Sequence, residues 1–280
     1  MQLCNRISYY NRFLPKPIAS YYLVIIIIIQ QTIYSGRLRP ISRSGLNLAN
    51  AIQKVLIGAI EIRLKHQLFL SDVKTTPGVG DLTGLKYWPT ASEPMLERLQ
   101  KAEYLPKLLK EKNRIKVLEL GSGIGLLGIG IASLNKNIEV ILTDAPVDFE
   151  EIQKGNGTSS TTTPTSSSSR SSTLSVLEEN VELNKDIVEN RITVKPLLWG
   201  NKEHIQTIDY QGHIDLIVGS ELLYNNDDSF EGLLETLRFF GSKKSSPIIL
   251  LGYKQINLGE ARQTCVQLNC KKLLPMLQSG

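Results

Sequence analysis

The run Val117-Leu-Glu-Leu-Gly-Ser-Gly-Ile-Gly125 leads from apolar residues through an acid into a glycine-rich turn. As a strand ending at Glu119 with a helix opening behind it, this segment would set backbone N–H groups and one carboxylate against a nucleotide-like ligand. Such a turn needs residues that tolerate positive φ and a backbone open to close approach. Two cofactor classes compete for it. The spacing Glu119-x-Gly121-x-Gly123-x-Gly125 favours S-adenosylmethionine. The overlapping Gly123-x-Gly125-x-x-Gly128, with Asp144 about 20 residues on, fits a dinucleotide fingerprint. The strand runs straight into Gly121, so the dinucleotide glycines arrive two residues late. Glu119 also has a purpose beside a cationic sulfonium, and the dinucleotide class does not require it. The methyl donor is therefore the preferred ligand, and a glycine turn without a ligand is the bland alternative.

Further residues fall at the ends of other predicted strands. Asp144 closes Val140-Ile-Leu-Thr-Asp144 and can accept both hydroxyls of a ribose, or simply cap the following turn. Trp199 follows Pro196-Leu-Leu, where an indole can pack on an adenine face. Trp88, the other tryptophan, also sits at a loop edge. In Asp215-Leu-Ile-Val-Gly-Ser-Glu-Leu-Leu-Tyr224 an apolar strand delivers Ser220, Glu221 and Tyr224 to the same edge. A carboxylate there can receive an ammonium group, and an aromatic three residues later can wall its channel.

The elements that must hold these residues alternate. Strands are expected at 115–120, 138–143, 191–198, 214–219 and 247–252, with helices at 93–109, 124–134, 174–184, 228–240 and 258–269. A further strand is expected over 59–70, where Ile60, Ile62 and Leu64 alternate with charged neighbours. This order implies right-handed crossovers and a mostly parallel sheet covered on both faces, with ligands at the carboxyl ends of its strands. Residues 155–173 are a Ser/Thr-rich tract that cannot bury enough apolar surface to order itself, and they are read as a disordered insertion.

The net charge of +5 is unevenly spread. No acid precedes Glu61, and seven basic residues lie before it, leaving 25 basic against 27 acidic residues in the rest. That balance argues against a phosphate-tracking surface and against nucleic acid as a partner. Residues 1–50 read as a leader, with 51–280 as the functional domain. The leader's acid-free, Arg-bearing character resembles an organellar presequence. Its apolar run Tyr21–Ile29 is far shorter than the about 20 residues a membrane span needs, so it is read as targeting or as a strand. Cys4, Cys265 and Cys270 form no CxxC pair, and His66, His204 and His213 have no metal-ligand spacing. Free thiols, no metal, a monomer and a cytoplasmic location are expected, with mitochondria as the alternative.

Taken together, these pieces resemble the seven-β-strand protein-lysine methyltransferases of methyltransferase family 16. The matching segments are Tyr87-Trp-Pro89, Glu119-Leu-Gly-Ser-Gly-Ile-Gly125, Leu142-Thr-Asp144, Glu179-Asn-Val-Glu-Leu-Asn184, Leu198-Trp-Gly200 and Ser220-Glu-Leu-Leu-Tyr224. The resemblance covers about residues 80–255. It implies a Rossmann-like seven-β-strand sheet with helices on both faces, S-adenosylmethionine as cofactor and a lysine-containing protein as substrate. Trp88, Gly121, Ser122, Gly123, Asp144, Trp199 and Ser220 would line the cofactor pocket with Glu119. Glu221 and Tyr224 would face the lysine. Only about 28 residues follow the fifth strand of the alternating series. Lys271-Lys-Leu-Leu-Pro-Met276 is a candidate sixth strand and nothing supplies a seventh, so the sheet is expected to be incomplete at the C-terminus. A small-molecule or RNA methyltransferase, or an inactive methyltransferase-like binding protein, remain the alternatives.

Overall fold

The computed structural model describes residues 24–30, 50–67, 89–101, 104–146, 172–222, 227–242 and 247–255. In chain order these form β1 (Val24–Gln30), β2 (Asn50–Ile57), β3 (Ile60–Gln67), α1 (Pro89–Lys101), α2 (Tyr104–Glu111), β4 (Ile115–Glu119), α3 (Leu126–Leu134) and β5 (Ile138–Asp144). Then follow α4 (Thr173–Leu183), α5 (Lys185–Val188), β6 (Ile192–Pro196), α6 (Lys202–Asp209), β7 (Leu216–Ser220), α7 (Asp227–Gly241) and β8 (Ile248–Gln255). Six strands pair in the order β1-β8-β7-β4-β5-β6, every neighbour parallel, while β2 and β3 form a separate antiparallel hairpin.

Strand composition explains the layering. Parallel strands covered on both faces must be apolar at every position, because successive side chains point to opposite sides. Val117, Val140, Leu142, Leu216, Val218 and Leu250 enter one core with α1, α3, α4 and the hairpin. Their neighbours Leu118, Ile141, Ile217, Ile249 and Leu251 enter a second core with α6 and α7. The chain winds outward from β4 through β5 to β6, then returns to β7 and β8 on the other side of β4. The winding direction therefore reverses between β4 and β7, which is where open α/β sheets leave a crevice for ligands.

The expected alternation of strands and helices is present, with these differences. A helix over 202–209 was not anticipated, although parallel β6 and β7 require a crossover between them. Its signals are Asn201, whose side chain accepts the His204 N–H at 3.0 Å, and Ile205 and Ile208 three apart on the buried face. The single helix expected over 93–109 is two, α1 and α2, because the apolar face jumps phase between Leu99 and Leu105. Pro89 opens α1 at the first helical position, where a missing N–H costs nothing. The strand expected over 59–70 is one arm of the β2–β3 hairpin, turned at Gly58 with φ +61°. Strand β2 was hidden because both its faces carry apolar residues: Val55 and Ile57 are buried, while Ile52 and Leu56 are exposed. The isoleucine run at 24–30 is a strand on the sheet's edge, in parallel register with β8. The expected helix over 258–269, the candidate strand from Lys271 and most of the Ser/Thr tract lie outside the described residues. Among the described residues no helix is long and apolar enough to cross a membrane.

Arg191 closes one end of this arrangement. Its guanidinium donates to the carbonyls of Ala132, Asn135 and Ile138 at the end of α3 and the start of β5, and to Ile187 of α5. A cation over the last carbonyls of a helix satisfies acceptors that have no intrahelical partner and complements the helix dipole. Arg191→Met keeps the aliphatic stem and removes the donors. Urea unfolding should show a stability loss of about 2 kcal/mol at unchanged m-value.

Candidate active site

The glycine turn is held from below by Glu119. This carboxyl, 2% exposed, accepts the Gly128 N–H in the first turn of α3 at 3.0 Å. A Cβ on Gly128 would stand 2.1 Å from Leu142 Cδ2 and 2.5 Å from Glu119 Oε2, so only glycine lets α3 lie this close to β5 and the acid. A helix N-terminus favours a negative charge by a few tenths of a kcal/mol up to about 1 kcal/mol. Loss of water outweighs it here. Burial pushes the Glu119 carboxyl up to about 8, against the lowering effect of hydrogen bonds from Ser122 and the Gly128 N–H, while Asp144 adds to the rise. Near neutral pH the ligand-free site therefore keeps a proton on Glu119, and a cation brought beside it would favour releasing that proton.

Asp144 ties the next strand to the same turn. Its Oδ2 accepts the Gly123 N–H at 2.6 Å and its Oδ1 accepts the Ala145 N–H at 2.8 Å. It thus caps its own turn and braces the glycine loop together. Burial raises it to about 6, with the two N–H bonds pulling the other way, although part of the residue remains open to solvent. Ser122 is mostly buried, and Thr143 engages both its polar groups. The Ser122 N–H donates to Thr143 O at 2.8 Å, and its hydroxyl accepts the Thr143 N–H at 3.0 Å. The Thr143 hydroxyl in turn donates to Glu119 O at 2.6 Å. Ser122 thereby acts as a strand extension that locks the turn onto β5.

Gly121 has φ +60°, in the left-handed region that a Cβ disfavours. A Cβ there would meet Leu222 Cδ2 at 2.8 Å and Trp199 Cζ2 at 3.3 Å. The space expected to admit a ligand at this position is thus already shared by an indole and a leucine. Trp199 is half-buried with its ring against Gly121. The segment it belongs to is seated on α7: the Gly200 N–H donates to the Thr236 hydroxyl at 2.9 Å, and a Cβ on Gly232 would stand 2.6 Å from Trp199 O.

On the other side of the crevice Ser220 ends β7, its hydroxyl 2.8 Å from that of Ser92 on α1. Glu221 follows with φ +59°, one of two non-glycine residues with positive φ among those described. The Glu221 N–H donates to Gly252 O at 2.8 Å, Met95 Sδ would lie 1.9 Å from a Cβ on Gly252, and Leu222 is buried immediately afterward. A left-handed glutamate costs of order 1–2 kcal/mol and persists only where its surroundings over-determine it. Here β8 and the buried leucine do so, and the result is a partly exposed carboxylate at the reversal of the sheet.

The structure therefore brings Glu119, Gly121, Ser122, Gly123, Asp144, Trp199, Ser220 and Glu221 to one edge. Trp88 and Tyr224 lie outside the described residues. Ser92, Met95, Thr143 and Leu222 were not among the expected site residues. Ser92 lies three residues after Pro89 and Thr143 directly precedes Asp144, so their proximity to recognised motifs is the only local sign. Among the described residues no group of three or more His, Cys, Asp or Glu could hold a metal.

The sequence model of the lysine methyltransferase family matches residues 78–164 and 161–264, together more than half of the chain. The chain belongs to the lysine methyltransferase family. It is 29% identical to methyltransferase-like protein 23 of Dictyostelium discoideum over 149 residues, 53% of this chain and 52% of that one. It is 30% identical to the protein N-lysine methyltransferase METTL21A of Mus musculus over 149 residues, 53% of each chain. With EEF1A lysine methyltransferase 3 of the same organism it shares 32% identity over 123 residues, 44% of this chain and 39% of that one. The chain thus spans about half the length, or less, of these relatives. The two pieces of the lysine methyltransferase match meet at 161–164, inside the Ser/Thr-rich tract.

The buried acid gives a measurable signature. A native pKa near 8 against an ordinary value near 4.5 means that the folded protein holds a proton the unfolded chain has released across that interval. Stability contributed by this group therefore falls as pH rises through the window. Glu119→Gln keeps an acceptor for the Gly128 N–H and cannot ionise. Relative to wild type it should gain a few kcal/mol between about pH 5 and about pH 8.5 in urea unfolding. An offset that is the same at both pH values would mean that Glu119 titrates as an ordinary carboxylate.

Proposed function

We propose that this protein transfers a methyl group from S-adenosylmethionine to a lysine side chain of a protein substrate. The observation that carries the reading is the pairing of two unlike carboxyl sites across the β4–β7 crevice. On one side Glu119 and Asp144 sit under a turn whose glycines 121, 123 and 125 all have positive φ. On the other, Glu221 is held in a strained conformation at the mouth. The cofactor side suits a cationic nucleoside: buried carboxyls with raised pKa gain most from a positive neighbour, and an indole offers a flat apolar face. Membership of the lysine methyltransferase family supports the same substrate class.

When bound, S-adenosylmethionine supplies an electrophilic methyl on a positively charged sulfur. The chain's own contribution is positioning. The turn and Asp144 would fix the nucleoside, and Glu221 would accept a hydrogen bond from the incoming amine and orient its lone pair. In-line transfer needs the nucleophile held about 3 Å from the methyl with aligned axes. The lysine must lose a proton to attack, and its ordinary pKa is about 10.4. Desolvation in the crevice and the nearby sulfonium both lower that value. The amine's proton leaves to water, so no residue need be regenerated.

Calorimetric titration with S-adenosylmethionine tests the cofactor. Affinity should rise with pH through about 6 and again through about 8, as Asp144 and Glu119 give up protons that the cation displaces. A pH-independent affinity would place the sulfonium away from both acids. Incubation with radiolabelled methyl donor and a cell lysate, followed by hydrolysis to amino acids, tests the substrate. Label should appear as methyl-lysine. Label in RNA or small molecules, or nowhere, overturns the assignment. Glu221→Gln should leave the donor's Kd within about threefold of wild type while reducing transfer at least about a hundredfold.

A further inference from the structure

An asparagine on α4 and the one that caps its C-terminus carry more hydrogen bonds than a helix requires. Asn180 in α4 and Asn184 at its C-cap are both completely buried, four residues apart where the helix packs beside β3. Asn184 Oδ1 accepts the Arg63 N–H at 2.9 Å and its Nδ2 donates to Arg63 O at 2.6 Å. Asn180 Oδ1 accepts the Lys65 N–H at 2.6 Å and its Nδ2 donates to Lys65 O at 3.0 Å. Each amide thus exchanges a donor and an acceptor with one strand residue, as an opposing residue does in an antiparallel ladder. The spacing permits it, because four helical residues rise about 6 Å and two strand residues span about 6.8 Å. The free edge of β3 is therefore paired by side chains, flanked by ion pairs from Arg63 to Asp186 and Lys65 to Glu179.

The second Nδ2 hydrogen distinguishes the two. In Asn184 it goes to Asn180 O at 2.7 Å, back into its own helix. In Asn180 it goes to Ile124 O at 2.8 Å, within the glycine turn and between Gly123 and Gly125. That carbonyl belongs to the peptide whose N–H, on Gly125, donates to Ser122 O at 2.8 Å. One buried amide therefore fixes both the hairpin edge and a peptide plane of the cofactor turn. An amide flip would set donors against donors, so the network itself determines the orientation.

We propose that Asn180 is a positioning residue that couples the β2–β3 hairpin to the cofactor turn, so that ligand binding and hairpin order reinforce each other. The proposal rests on the methyl-donor reading of that turn. Coupling of this kind is reciprocal: a ligand that stiffens the turn must stabilise the hairpin by the same factor by which an ordered hairpin improves ligand affinity. Asn184, with a matching hold on β3 but none on the turn, supplies the internal control.

Amide hydrogen exchange on the wild-type protein, with and without S-adenosylhomocysteine, tests this directly. The Arg63 amide should slow several-fold on ligand addition along with amides of the turn. Asn180→Leu should raise the Kd for S-adenosylhomocysteine by about tenfold or more and abolish the ligand response at Arg63. Asn184→Leu should lower stability comparably yet raise the Kd by no more than about threefold, because Asn180 still holds both Lys65 and the turn. Equal Kd changes in both variants, or a wild-type hairpin indifferent to a ligand that does bind, overturns the inference and leaves the methyl-donor reading standing. Failure of the wild type to bind the ligand removes both. Should Asn180→Leu not fold, the wild-type exchange experiment decides alone.

Discussion

A carboxyl group sealed beneath the first turn of α3 sets the geometry of the whole carboxyl edge. Glu119 can be accommodated there only because Gly128 leaves room for it and offers an N–H. That contact draws α3 against β5. The Thr143 hydroxyl then reaches Glu119 O, Ser122 pairs with Thr143, and Asp144 braces Gly123. Ordinary burial of a carboxyl without a strong cationic partner is unfavourable. The fold tolerates it because the group can stay protonated, and the stored preference for a positive neighbour is what a sulfonium ligand would use.

The two halves of the site come from the two directions in which the chain winds. Strands β4 and β5 end in Glu119 and Asp144, and the loop after β6 carries Trp199; β7 and β8 present Glu221 through the bond from its N–H to Gly252 O. Leu222 joins them physically, since it occupies the space that a Cβ on either Gly121 or Gly219 would need. Because a packed core repositions in discrete steps rather than deforming continuously, a shift of the Leu222 side chain would be felt on both sides of the crevice at once.

The parallel sheet was legible because its strands are apolar at consecutive positions and end in glycines or acids. Glu119, Asp144 and Glu221 could be named from that pattern alone. The hairpin partner β2 was not legible, because Ile52 and Leu56 point outward and erase the period-two signal. Helix α6 was missed because Ile205 and Ile208 are too few to declare a face. The roles of Ser122 and Gly121 were only half-visible: spacing identified them, but which neighbour fills the adjacent space is decided by Thr143, Leu222 and Trp199 arriving from distant parts of the chain. Asn180 and Asn184 stood in a recognised segment, yet their partners Arg63 and Lys65 lie more than a hundred residues away.

The edge strand β1 carries a consequence for how the molecule comes into being. Val24 is aligned with Ile249 and Gln30 with Gln255, so strands more than two hundred residues apart in the chain must find each other, and β1 is synthesised well before its partner. During translation five successive isoleucines wait for a template that does not yet exist, and loop closure over that separation is slow. Pairing along this edge therefore waits until β8 has been made, and in the interval the isoleucine strand is a natural client for chaperones.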